Sequence, residues 1–164
     1  MLNRITTYVF IIALLFGNTS YANPDKDQPF FLESDSAKWD EESQKSTYHG
    51  NVIVTQGSLL ITGDLLIVTS KNGEIVHMVV TGNKSTYKQK TKTGKIVNGE
   101  AIKIEYHIDQ FKIIFIDKAI ITQSNNILKN DKIIYKTDSE NVIAGDSKDG
   151  SRVRMTIKPK KNNE

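Results

Sequence analysis

Residues Gly50 to Ser70 read GNVIVTQGSLLITGDLLIVTS. Three apolar runs follow one another, separated only by Gln56-Gly57-Ser58 and Gly63-Asp64. The runs are β-branched and punctuated by glycine, which favours strands and tight turns over a helix. None approaches the roughly 20 apolar residues that a membrane-spanning helix needs. The apolar residues also occupy both alternating parities, as in Val52-Ile53-Val54, Leu59-Leu60-Ile61 and Leu65-Leu66-Ile67-Val68. A strand with one wet face alternates apolar with polar. Two readings stay open: a surplus of surface Ile and Leu, or strands that turn one face to a core and the other to an apolar ligand.

Working outward, period-2 alternation recurs in AIKIEYHI (101–108), QFKIIFIDKAIIT (110–122) and RVRMTI (152–157). Turn residues return every 8 to 12 positions, among them Lys71-Asn72-Gly73, Thr93-Gly94, Asn98-Gly99 and Ser124-Asn125-Asn126. This pattern predicts an all-β meander, sandwich, jelly roll or barrel. Pro24, Pro29 and Pro159 lie outside or at the edge of the strand region, as ladder hydrogen bonding requires.

The opening stretch has an echo. Shifted by 67 residues it meets DKAIITQSNNILKNDKIIYKT (117–137). Ile53 falls on Ile120, Thr55 on Thr122, Gln56 on Gln123 and Asp64 on Asp131, while Trp39 falls on Tyr106. The chain therefore contains a duplicated unit of strands, and such units bury their faces by stacking on one another. Terminal strands of a stack keep unpaired edges, which are either blunted or accept a partner. The first predicted strand, PFFLES (29–34), is apolar; the last ends in Pro159 and a polar tail, 159–164. A head-to-tail contact between the first strand of one molecule and the last of another is the functional reading.

The beginning of the chain is read separately. Arg4, the apolar run Ile5–Phe16 and small residues at Ser20 and Ala22 predict a cleaved signal peptide, 1–22, and export. One domain, 23–158, follows. The chain has no cysteine, so burial and backbone pairing must hold it, as is common for a bacterial periplasmic protein. The formal charge is only +3, and nineteen of the 22 basic residues are lysines spread singly along the chain, which argues against nucleic acid as a partner.

Chemistry is not evident. His49, His77 and His107 have no metal-ligand spacing to one another, so no metal or cofactor is expected. Asp40-Glu41-Glu42 and the Asp146/Asp149 pair read as turn carboxylates, since the latter lacks an EF-hand's alternating ligands. No nucleophile elbow, phosphate loop or catalytic triad can be nominated, and the chain is not expected to be an enzyme.

The segments DQPFFLESDSAKWD, GNVIVTQGSLLITGDLLIVT, VNGEAIKIEY and KNDKIIY together resemble the LptA family of periplasmic lipopolysaccharide-transport proteins, within the OstA-like superfamily. The resemblance runs from about Asp27 to Ile157. It implies an incomplete antiparallel β-jelly roll of some sixteen strands, open and V-shaped, whose groove holds lipid A acyl chains. It also implies head-to-tail self-association, an inner-membrane export complex at the N-terminal edge strand and an outer-membrane assembly protein at the C-terminal one. The related alternative is a structural or adaptor module that carries no lipid.

Carried over by position, the resemblance puts Phe30 and Leu32 at the groove mouth, Tyr87 at its middle and Tyr106 within it. Strand parity then adds Val52, Val54, Leu59, Ile61, Leu66 and Val68, and in the second copy Ile104, Ala119, Ile121, Leu128, Ile133 and Tyr135. Where the family shows Gly in the second copy's turn, this chain has Asp117, which makes that turn's geometry a point to test.

Overall fold

The computed structural model describes residues 25–145 and 151–159; the expected signal peptide, the Asp146/Asp149 segment and residues 160–164 of the expected tail lie outside the described residues. Among the described residues the regular elements are strands: β1 (Phe31–Glu33), β2 (Ser36–Asp40), β3 (Lys45–Gln56), β4 (Leu59–Lys71), β5 (Glu74–Lys90), β6 (Ile96–His107), β7 (Lys112–Gln123), β8 (Asn126–Lys136), β9 (Asn141–Ala144) and β10 (Arg154–Thr156). They form one antiparallel ladder in the order β1-β3-β4-β5-β6-β7-β8-β10, with β2 also paired to β3 and β9 to β8. β3 to β8 form a meander in which each strand pairs with its neighbour in the chain. The described parts of the predicted terminal strands are shorter than expected, β1 covering three residues of 29–34 and β10 three of 152–157.

A sheet this wide must bury one face, and among the described residues no helix covers it. The solution is a fold line. Register slips between His49 and Val52 in β3, Thr62 and Leu65 in β4, Thr81 and Ser85 in β5, Glu100 and Lys103 in β6, and Ile116 and Ala119 in β7. Bulges bend a strand and disrupt the ladder locally. Here they align into a spine crossing the ladder, and each long strand continues from one side of it to the other. The side carrying β1, β10 and the β3–β4, β5–β6 and β7–β8 turns is lobe A. The side carrying β2, β9 and the β4–β5 and β6–β7 turns is lobe B. Counted by lobe, the ten strands account for the sixteen that the resemblance implied.

Backbone and side-chain hydrogen bonds brace the chain beside the bulges. Asp35 N donates to the Gly50 carbonyl at 3.0 Å, and Asn51 Nδ2 donates to Asp35 Oδ2 at 2.9 Å. Asn83 N donates to Asp64 Oδ2 at 3.0 Å, and Lys132 N to Asn130 Oδ1 at 3.1 Å. The duplication is visible in the dihedral angles as well. Gln44, Gly50, Asn51 and Gly57 have positive φ, and so do Phe111, Asp117, Lys118 and Ser124, their counterparts 67 residues on. Asp117 (φ 63) therefore adopts the left-handed turn that Gly50 (φ 76) adopts, without being glycine. Aspartate tolerates that region better than most residues.

The lobes close on a shared core that includes Val52, Leu66, Met78, Ile104, Ile113 and Ile133. Tyr87 and Gly99 are direct partners in lobe A, whereas Phe115 lies across the spine in lobe B. The Phe115 ring nevertheless stacks edge-on to Tyr87, with centroids 5.6 Å apart. It occupies the space above Gly99 so fully that a Cβ there would sit 2.2 Å from Phe115 Cε1. Gly99 is the cavity that lets one lobe lie down on the other.

The second apolar parity faces outward. Ile53, Leu60, Ile67, Ile114, Ile116 and Ile134 are half-buried on the outer faces of the lobes, while the inner parity is buried. The surplus of Ile and Leu noted above thus belongs to the outside of the V. Gly99→Ala should cost about 1–3 kcal/mol through overpacking, read from urea unfolding. Adding Phe115→Leu should recover part of that loss, whereas an equal loss with and without the second change would mean that Gly99 matters for another reason.

Candidate functional site

The inner faces of the lobes form an apolar corridor, filled by its own side chains along the middle, that runs across the strands from β1 and β2 to β9 and β10. Eight ladder positions at the usual strand spacing make it roughly 34 Å long. Val52, Val54, Leu59, Ile61, Leu66, Val68, Tyr87, Ile104, Tyr106, Ile121 and Tyr135 all face it and are buried. Phe30 and Leu32 are half-buried and pack on the same cluster at the first strand's end. The sequence-predicted residues therefore converge on one surface. Tyr87 lies near its centre at 1% exposure.

Among the described residues no further strand covers either end of the corridor. Directly opposed residues of an antiparallel pair share a face. Trp39, opposite buried Ser46, faces inward at the β2 end and is 53% exposed. At the other end Val142 lies opposite Tyr135 and Met155 opposite Leu128, and both are exposed. Sequence reasoning did not nominate these three. Inward parity on a terminal strand is the signal that would have found them. Val142 and Met155, with Ile121, Gln123, Asn126 and Leu128, line a recess of about 110 Å³. Asn126, the polar residue on the inward parity of the second copy, sits at this open end and not within the packed centre.

The long rim is held at two points. On the lobe A side the N-terminal segment is tied to the β3–β4 turn. Ser58 N donates to Asp25 Oδ1 at 3.0 Å, Ser58 Oγ donates to Asp25 Oδ2, and Gln56 Nε2 donates to the Gln28 carbonyl at 3.0 Å. From there Lys26 reaches lobe B, its Nζ 3.5 Å from the centre of the Phe111 ring. Farther along, Thr93 in the β5–β6 turn donates through Oγ1 to Glu140 Oε2 at 3.1 Å, again joining lobe A to lobe B. Inside, a polar chain steadies Tyr87: its hydroxyl donates to Gln89 Oε1 at 2.7 Å, and Gln89 Nε2 donates to Asp25 Oδ2 at 3.3 Å.

Burial, and then the neighbouring Tyr135, Tyr106 and Asp25, hold the Tyr87 hydroxyl well above the usual tyrosine range. Burial also raises Tyr106, with Asp25 adding to it, and pushes Tyr135 up to about 12, with Glu140 adding to it. These groups are neutral lining, suited to contact and not to proton transfer at ordinary pH.

One sequence reading is corrected. His77 and His107 are not solitary: they are direct partners across β5 and β6, with rings stacked 4.3 Å apart, and Glu105 lies beside them on the outer face of lobe B. Spacing along the chain could not reveal a pair made by a ladder register.

The family model described as LptA/(LptD N-terminal domain) LPS transport protein matches residues 32–141. The lipopolysaccharide export system protein LptH of Pseudomonas aeruginosa is 32% identical over 170 residues, covering 94% of this chain and 97% of the relative. The lipopolysaccharide export system protein LptA of Escherichia coli K12 is 34% identical over 137 residues, covering 82% of this chain and 74% of the relative. The crystal structure of the Pseudomonas LptH aligns with a TM-score of 0.77 at 27% identity, over 83% of this chain and 99% of that one.

Two outcomes follow from the rim and the lining. The Lys26→Ala/Glu140→Ala variant removes both tip contacts, each exposed and worth roughly 0.5–1 kcal/mol. Its urea stability should fall only slightly, while uptake of a fluorescent fatty acid speeds up; unchanged uptake would mean that the rim does not limit access. Tyr135 has its proton bound more tightly in the fold than in the unfolded chain. Its contribution is therefore full below pH 10 and lost as pH rises towards 12. Stability measured across that interval should decline less steeply in Tyr135→Phe than in the parent.

Proposed function

The chain belongs to the LptA/(LptD N-terminal domain) family of LPS transport proteins, and we propose that it carries lipopolysaccharide between the two membranes of a Gram-negative envelope. The observation that carries the proposal is the apolar corridor, open at both ends where Trp39, Val142 and Met155 are exposed. Acyl chains of lipid A occupy it, lined by the residues from Phe30 to Tyr135 named above. Each CH₂ moved out of water contributes about 0.8 kcal/mol, so a few chains bind firmly even where a rim remains wet. The sugar and phosphate part stays outside between the turns. Nothing in such transport requires bond making, and the protein acts by binding and handing on.

The corridor ends where the chain's edges are. β1 and β2 at one end and β9 and β10 at the other are short and largely exposed, and among the described residues no strand pairs with their outer sides. In the proposed assembly, β9 and β10 of one molecule accept β1 and β2 of the next, which joins two corridors into one. An inner-membrane export complex takes the N-terminal edge of the first molecule and an outer-membrane assembly protein takes the C-terminal edge of the last. Export through a signal peptide cleaved after Ala22 puts the domain in the periplasm.

The adaptor reading draws on a different observation: side chains fill the middle of the corridor, with Ile61, Leu66, Ile104 and Phe115 all at 0% exposure. Photo-crosslinking separates the two. A photoreactive residue at Leu32, Tyr106 or Met155 should capture lipopolysaccharide in cells, and one at outward-facing Ile114 should not. If Leu32, Tyr106 and Met155 all fail while circular dichroism shows the native β-signature, the lipid-carrying reading is wrong and the adaptor reading stands.

A further inference from the structure

On the outer face of lobe B, away from the corridor, the pairing of His77 with His107 brings two imidazoles together and β6 alternation places Glu105 beside them. Each of the three offers a ligand atom, and those atoms lie within 4.8 Å of one another. His77 Nε2 and His107 Nε2 are both buried and lack a hydrogen-bond partner. Buried imidazole nitrogens are rarely left so, because each forfeits a hydrogen bond to water. Glu105 is already oriented: Lys103 Nζ holds its Oε1 at 3.0 Å, which leaves Oε2 pointing at His107 Nε2, 3.6 Å away.

We propose that His77, His107 and Glu105 form a binding site for a divalent transition cation of the zinc type. Two neutral imidazoles and one carboxylate are a donor set that suits zinc, with distances of about 2.0–2.2 Å and a tetrahedral ligand separation of roughly 3.4 Å. Both imidazoles, now stacked with ring centroids 4.3 Å apart, and the Glu105 carboxylate turn towards one another to reach that geometry, which opens the outer face over nitrogens that are buried at present. The electrostatics agree with the geometry. Burial, then the neighbouring His107, lowers the His77 pKa and favours the neutral imidazole that a metal requires. Burial pushes Glu105 up, but hydrogen bonding and charge from Lys103, and then from His107, outweigh it and keep the carboxylate ionised. Lys103 is thus a positioning residue, holding one oxygen so that the other faces the site. A bound ion would staple β5 to β6 on the outside of the lobe and stabilise the folded chain in proportion to its occupancy.

The test is a zinc titration of the tag-free, chelator-treated protein, followed by calorimetry and by ¹⁵N spectra of the histidine rings. One equivalent of zinc should bind, raise the melting temperature and shift the His77 and His107 ring nitrogens together while leaving His49 unmoved. His77→Gln and His107→Gln should each weaken binding at least about tenfold, and magnesium should have no effect. Zinc binding that is unchanged in the His77→Gln/His107→Gln variant, or zinc that leaves both ring signals in place, overturns the proposal. Should the double variant fold poorly, the ring spectra of the parent decide the question alone.

Discussion

The structure depends on one constraint: a single antiparallel ladder has to bury a face against itself. Among the described residues there is no helix to cover it, and the chain has no cysteine to hold a second layer in place. The spine of bulges meets the constraint by letting each of the six long strands belong to both walls of the V. The Asp64 and Asn130 side chains then accept hydrogen bonds from backbone N–H groups beside two of the bulges. Because the walls are halves of the same strands, the interior and the spine form together. Phe115 over Gly99 is one place where the two walls meet without room for a further carbon.

That construction also explains why the corridor is filled in the middle and open at its ends. A central strand has neighbours on both sides and a facing wall, so Val54, Ile61 and Ile104 lose all contact with water. A terminal strand has one neighbour only, and its inward residues are left uncovered. Exposed Trp39, Val142 and Met155 follow from topology rather than from any local feature of their segments. Among the described residues the same asymmetry leaves edge backbone at both ends of the ladder, the feature on which the proposed end-to-end assembly rests.

The rim differs in character from the core. Its contacts, Lys26 against Phe111 and Thr93 against Glu140, join exposed turns through a cation over a ring and hydrogen bonds. Such contacts are weak beside the packed interior, so the V opens at its rim before it gives way at its spine. A binding surface inside a hinged pair of walls needs that order of strengths. The Asp25 anchor on the β3–β4 turn gives the N-terminal segment a fixed place on the rim.

By itself the sequence determined the all-β class, the 67-residue duplication and which residues of each long strand share a face. Alternation and turn chemistry are local, and the repeat carries its positive-φ positions with it from Gly50-Asn51 to Asp117-Lys118. Three matters were left to the tertiary structure. The bend of the sheet decided that the second apolar parity lies outside, since two apolar parities look the same along a chain whichever one is enclosed. Strand topology decided which inward residues remain open to water. Ladder register decided that His77 meets His107, because residues thirty apart become neighbours only when two strands align. Each is a relation between distant segments, and such relations arise from packing rather than from local sequence.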